Sequence, residues 1–167
     1  MVAATHSGSE VQVFAYPRAA GEQQVAVSLR ELGIAGAAYE WDWVRHAGRR
    51  VAAGGSFPMM FQNGWAYAVV TPIASDRIAL LGDTGRIVPL ARERFPVVSN
   101  SRYARVLVSY AAGEKAISFA GFAAQRPTVK AISGSVEALR YTQATHLFSV
   151  VVHPAAAARD AELVIRD

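Results

Sequence analysis

The sequence predicts an all-β protein, an antiparallel β-sandwich, and three observations lead there. Apolar residues recur with a period of two, as in Val11, Val13 and Ala15 and again in Val25, Val27 and Leu29, the pattern of strands with one buried face. Turn signals interrupt these runs at short intervals: Pro17 to Gly21, Gly33 to Gly36, Gly54-Gly55, Asn63-Gly64, Ala112-Gly113, Ser133-Gly134 and Pro154. Helical segments long enough to form a layer are missing between them. Ser28 to Leu32 is short and stops at Gly33, and the alanine-rich stretch from Pro154 to Asp160 suffices for one turn.

Taken in order, the first strand is expected around Val11 to Ala15 and the second around Val25 to Leu29. From Tyr39 to Arg45 three aromatics, Tyr39, Trp41 and Trp43, alternate with Glu40 and Asp42, which places the rings on one face and the acids on an exposed one. Trp65 to Ile73 is aromatic and β-branched, with Pro72 marking its end at a sheet edge or bulge. Ile78 to Leu81 and Arg86 to Leu90 flank Gly82-Asp83-Thr84-Gly85 and read as a hairpin. Further strands are expected at Arg102 to Tyr110, Lys115 to Phe122, Val136 to Tyr141, His146 to Val152 and Ala161 to Arg166. Residues 1–9 read as a flexible tail, and residues 10–167 as a single β-sandwich domain.

The chain has 167 residues, 52% of them apolar and 18% charged. That is one core's worth of protein, since single cores grow to about 100 to 200 residues. It is too short for a complete (β/α)₈ barrel of roughly 250 residues. The net charge of +4 comes from 17 Lys plus Arg against 13 Asp plus Glu. Its arginines are scattered, the densest groups being Arg45, Arg49 and Arg50, then Arg86, Arg92 and Arg94, so no nucleic-acid partner is expected. Without cysteine there is no disulfide framework, thiolate metal site or cysteine nucleophile. Met1 to Glu10 has no apolar core of a secretory leader, and no run approaches the length of a membrane span. No membrane partner is expected, and the cytoplasm is the default compartment.

A search for catalytic chemistry returns no motif. His6, His46, His146 and His153 have no ligand spacing, so no metal and no cofactor are expected. Among Glu40, Asp42, Asp76, Asp83, Glu93 and Glu114, only Glu40 and Asp42 sit on one strand face, about 7 Å apart, near the spacing of an inverting glycosidase. Paired acids on an open strand face are ordinary solvation, so no catalytic residue is assigned. Flat rings can stack on a sugar while a nearby carboxylate binds its hydroxyls, which makes Trp41, Trp43, Trp65 and Asp42 the candidate carbohydrate contacts. The alternative for Tyr39, Trp41 and Trp43 is sandwich core, and Phe57, Met59, Met60 and Phe61 read as packing.

Longer stretches carry a resemblance. Val11-Gln12-Val13-Phe14-Ala15-Tyr16, then Val27 to Ile34 with Leu32-Gly33-Ile34, then Tyr39-Glu40-Trp41-Asp42-Trp43 resemble the β-sandwich that follows the catalytic barrel in many glycoside hydrolases. Trp65 to Ile73, Ile78 to Asp83 and Arg86 to Leu90 resemble more particularly the C-terminal region of the raffinose synthase and alkaline α-galactosidase group. So do Gly121-Phe122, Arg126-Pro127, Val136 to Tyr141 and Leu147 to Val151. The resemblance spans residues 10–167 and implies a non-catalytic accessory domain that packs on a catalytic (β/α)₈ barrel absent from this chain, or self-associates through an apolar face. Catalytic aspartates in that family belong to the barrel, so neither Asp42 nor Asp83 inherits a role. Two alternatives stand beside it: a carbohydrate-binding module using exposed Trp and Tyr, and a small stand-alone glycosidase using Glu40 or Asp42.

Overall fold

A computed structural model describes residues 1–75, 77–87, 94–99, 102–155 and 160–167. The protein is all-β, and among the described residues there is no helix. The chain falls into two compact units, Met1–Ile73 and Ala74–Asp167, where one sandwich over residues 10–167 was expected.

The first unit contains β1 (Val2–Ser7), β2 (Glu10–Ala15), β3 (Gln24–Ser28), β4 (Ala38–Asp42), β5 (Ala47–Val51), β6 (Ser56–Met60) and β7 (Ala66–Pro72). They form a five-stranded antiparallel sheet in the order β1-β2-β7-β4-β5 and a two-stranded sheet, β3-β6. Alternation dictates the core: Val11, Val13 and Ala15 from β2 and Ala66, Ala68 and Val70 from β7 cluster with Val27, Phe57 and Met59 from the small sheet. Residues 2–7, expected as a frayed tail, instead pair in register with β2, from Val2 opposite Ala15 to Ser7 opposite Glu10. The strand expected to reach Arg45 stops at Asp42. There the Asp42 carboxylate accepts from the Arg45 N–H (2.9 Å), and His46, at φ 50°, closes a four-residue hairpin loop into β5.

Local chemistry explains two other turns. Asn63 and Gly64 both have positive φ, as the tightest hairpin loop requires, and they join Gln62 to Trp65. Ser28 to Gly33 makes a single turn and no helix. The Glu31 carboxylate accepts from the Ser28 N–H and hydroxyl while the Ser28 Oγ accepts from the Glu31 N–H, a reciprocal cap with nothing to extend it.

The second unit contains β8 (Ile78–Asp83), β9 (Val97–Ser99), β10 (Ala104–Ser109), β11 (Ile117–Ala123), β12 (Thr128–Ser133), β13 (Ser135–Thr142), β14 (Leu147–His153) and β15 (Asp160–Arg166). These make two four-stranded sheets, β12-β15-β10-β9 and β13-β14-β11-β8. Val106, Val108, Leu163 and Ile165 of one sheet share a core with Phe119, Phe148, Val150 and Val152 of the other, a β-sandwich. The chain passes from one sheet to the other at Gly134, whose φ is 77° and where a Cβ would lie 2.3 Å from the His153 carbonyl oxygen. Only glycine fits that corner.

Strands β10, β11, β13, β14 and β15 lie where the alternation placed them, whereas β5, β6, β9 and β12 were not expected. Of the expected hairpin, the first arm is present as β8, which pairs with β11, and Arg86 and Ile87 of the second arm, expected from Arg86 to Leu90, form a bend. Residues 88–90 lie outside the described residues, as do Asp76, Arg92, Glu93 and most of the expected turn between Pro154 and Asp160.

Candidate functional site

The acids of β4 are not on an open face. β4 lies between β5 and β7, and all five of its residues are buried. Glu40 stands opposite Val70 and Asp42 opposite Ala68, so both carboxylates project on the side of the sheet that carries the apolar core. Glu40 is 1% exposed and Asp42 5%. The expectation of a solvated acid face fails because alternation tells which residues share a side of a strand and not which side is covered: the side that carries Glu40 and Asp42 is the one whose Ala68 and Val70 pack with Val27, Phe57 and Met59 of the small sheet.

Burial leaves Glu40 dependent on nearby cations, Arg49 above all and Arg45 to a smaller degree. Arg49, directly opposite on β5, donates from Nε to the Glu40 carboxylate at 2.8 Å. Desolvation outweighs that attraction, and neighbouring Asp42 adds to it, so the Glu40 carboxyl is pushed up to about 7. Such a carboxyl has the proton affinity of a general acid, yet it is enclosed, and a substrate has no route to it while the sheet is closed. In the closed sheet the Glu40 carboxylate is held by Arg49 and that of Asp42 by the Arg45 N–H.

Glu10, on β2, is a second buried acid, with no solvent exposure. Gln12 Nε2 donates to its Oε1 at 3.2 Å, and its Oε2 has no hydrogen-bond partner among the described residues. Burial pushes this carboxyl up to about 7 as well. Its charge, together with burial, raises the nearby Tyr67 hydroxyl above the ordinary phenol range.

The candidate sugar contacts do not form an open platform. Tyr39 is fully buried and Trp41 is 5% exposed, on the side of the strand opposite the Glu40 and Asp42 carboxylates. Trp43 and Trp65 are half-buried. Trp43 lies in the β4–β5 loop, its ring tilted 58° to Tyr67 and 47° to His46, so its neighbours stand across its plane and not beside it. Trp65 closes the Asn63-Gly64 hairpin. Asp42 is occupied by the Arg45 N–H. Nor do His146 and His153 point to a ligand: His146 Nδ1 is 2.8 Å from the Tyr141 hydroxyl, and His153 Nδ1 is 3.1 Å from the Lys115 carbonyl oxygen.

The surface that stands out lies in the second unit, on the outer face of the β12-β15-β10-β9 sheet. Since the core side takes Ala104, Val106 and Val108 of β10 and Ala161, Leu163 and Ile165 of β15, the alternate residues face outward. Register aligns Lys130, Val164, Arg105 and Val98 in one row across the four strands. In the next row Thr128 stands opposite Arg166, whose guanidinium lies over the Tyr103 ring, 5.9 Å from its centre. Val98 is 68% exposed, Ile132 62% and Leu107 37%. A shallow concavity of about 360 Å³ is lined by Thr128, Lys130, Ile132, Val164 and Arg166, and a second of about 290 Å³ adjoins it at Tyr103 and Arg105. Arg105 is paired with Glu162, whose carboxyl it holds below the ordinary range. Lys130, Arg105 and Arg166 are scattered in sequence and converge only through strand pairing, which is why inspection of the sequence missed them. Ile132, at a register shift in β12, shares the exposed alternation of Thr128 and Lys130 in a strand the sequence did not announce.

No protein family and no curated protein matches the chain.

Proposed function

We propose that this chain is a non-catalytic accessory β-protein that docks on a catalytic (β/α)₈ barrel through the outer face of the β12-β15-β10-β9 sheet. The observation that carries this reading is the exposure of Val98, Leu107 and Ile132 on a concave sheet face beside Lys130, Arg105 and Arg166. Exposed aliphatic residues spread across a solvated four-stranded sheet face suit an interaction surface, and Lys130 and Arg166 beside them favour a partner with acidic groups. The commitment of Glu40 and Asp42 to internal contacts favours a role without chemistry of its own. The choice of barrel follows from the strand resemblance to the α-galactosidase and raffinose synthase group.

The test is titration calorimetry of the purified chain against an isolated barrel of that group. Saturable binding that is lost in a Val98→Glu, Ile132→Glu double variant supports the reading. No heat with the barrel, or binding unchanged by the double variant, counts against it. The carbohydrate-binding alternative requires heat with galactosides or glucans that disappears on Trp43→Ala or Trp65→Ala.

A further inference from the structure

The first unit ends in an edge strand without the usual protection. Sheet edges expose a row of unpaired N–H and C=O groups, and proteins blunt them with charge, proline, bulges or shortness. Most other edges here follow that rule: β5 carries Arg49 and Arg50, β6 carries Pro58, β8 ends in Asp83, β12 carries Lys130 and a register shift, β13 is interrupted by a shift between Glu137 and Arg140, and β9 has three residues; β3, Gln-Val-Ala-Val-Ser, lacks charge and proline but buries Val27 in the core. β1, Val-Ala-Ala-Thr-His-Ser, has no Lys, Arg, Asp, Glu or Pro, no bulge, and no buried residue.

The hydrogen-bonding parity of β1 follows from its first pair. The Tyr16 N–H donates to the Met1 carbonyl at 2.9 Å and the Met1 nitrogen donates to the Tyr16 carbonyl at 2.5 Å, so residues 1, 3, 5 and 7 turn their backbone groups toward β2. Val2, Ala4 and His6 therefore turn theirs to the open side. On the core side of the sheet, Val2 and Ala4 also border a cleft of about 340 Å³ against Val25 and Val27 of β3.

We infer that β1 is a homodimer edge, pairing antiparallel with β1 of a second copy about a twofold axis at Ala4. In that register Ala4 meets Ala4 and Val2 meets His6, and every outward N–H and C=O of both strands finds a partner. The self-pairing sets no like charges in opposition, a condition that β5, with its two arginines, does not meet. Because paired residues share a face, the second copy also brings its Val2 and Ala4 to the side of the cleft, extending the apolar wall. This interface is separate from the docking face proposed above and stands or falls independently of it.

Sedimentation velocity from low-micromolar to sub-millimolar concentration tests the inference. We expect a monomer–dimer equilibrium that Ala4→Pro abolishes, because proline removes an outward N–H while leaving every β1–β2 bond in place. In an otherwise cysteine-free chain, Ala4→Cys should cross-link to its symmetry mate with a short bis-maleimide, whereas Thr142→Cys should not. A chain that stays monomeric throughout, or a dimer that forms unchanged in Ala4→Pro with no cross-link at Ala4→Cys, overturns it.

Discussion

Glu40 and Arg49 face each other across β4 and β5, with the guanidinium Nε 2.8 Å from a carboxylate that is 1% exposed. Arg49 itself is 39% exposed, so the pair bridges the core side of the sheet and solvent. Removing Arg49 alone strands the enclosed Glu40 carboxyl without its hydrogen-bonded cation, whereas removing both partners strands neither.

Arg49→Met should therefore destabilise the protein at pH 8 by about 2 kcal/mol, below the range for fully buried pairs because Arg49 is partly solvated. Glu40→Leu combined with Arg49→Met should recover most of that loss. Denaturant midpoints of the two singles and the double measure it, and purely additive losses would contradict an enclosed pair.

Stability should also depend on pH in a direction set by the buried acids. Glu10 and Glu40 rise from 4.5 to about 7 on folding, so the folded chain holds protons that the unfolded chain releases. Their contribution is full below about pH 4.5, declines through the window from 4.5 to 7, and is lost above it. Each accounts for about 3 kcal/mol across that window. Glu10→Gln should flatten the decline in urea midpoint between pH 5 and pH 8 by about half. An identical decline in the variant would contradict the assignment to Glu10.

Glu114 acts in the opposite direction. Arg94 and Arg86 pair with its carboxylate, and the Ala111 N–H donates to it at 3.0 Å, which together hold its pKa below the ordinary range. Its stabilisation is present above that range and is lost as pH falls through it. Glu114→Gln should leave the protein less stable at neutral pH and less sensitive to acid below pH 4.5, read from thermal midpoints along a pH series.

Gly48 lies beneath the Tyr39 ring, where an added Cβ would come within 2.3 Å of the hydroxyl oxygen and 2.6 Å of Cε1. Gly48→Ala should cost about 2–3 kcal/mol by overpacking. Tyr39→Leu in the same chain should relieve part of it. A Gly48→Ala protein as stable as the parent would show that the ring can move aside.

Legibility in the sequence followed the range of each interaction. Val11, Val13 and Ala15, or Leu163 and Ile165, announce their strands because one buried face imposes period two. Asn63-Gly64 announces its turn because few dipeptides tolerate positive φ at both positions. What could not be read depended on what covers each strand: the β4 side bearing Glu40 and Asp42 is packed by the β3-β6 sheet, so the acids alternate without being wet, and β1 pairs at the edge despite a small, polar composition. The outer face of the second unit was the least legible part. Lys130, Arg166 and Arg105 belong to three strands and meet only through the register of β12, β15 and β10.

The most direct measurement of the central claim is the affinity between this chain and an isolated α-galactosidase-class barrel, compared with that of the Val98→Glu, Ile132→Glu variant at equal fold stability. A saturable complex is expected that the variant loses while its thermal midpoint stays unchanged, since both positions are exposed. A complex formed equally well by both proteins, or by neither, would contradict docking through this sheet face.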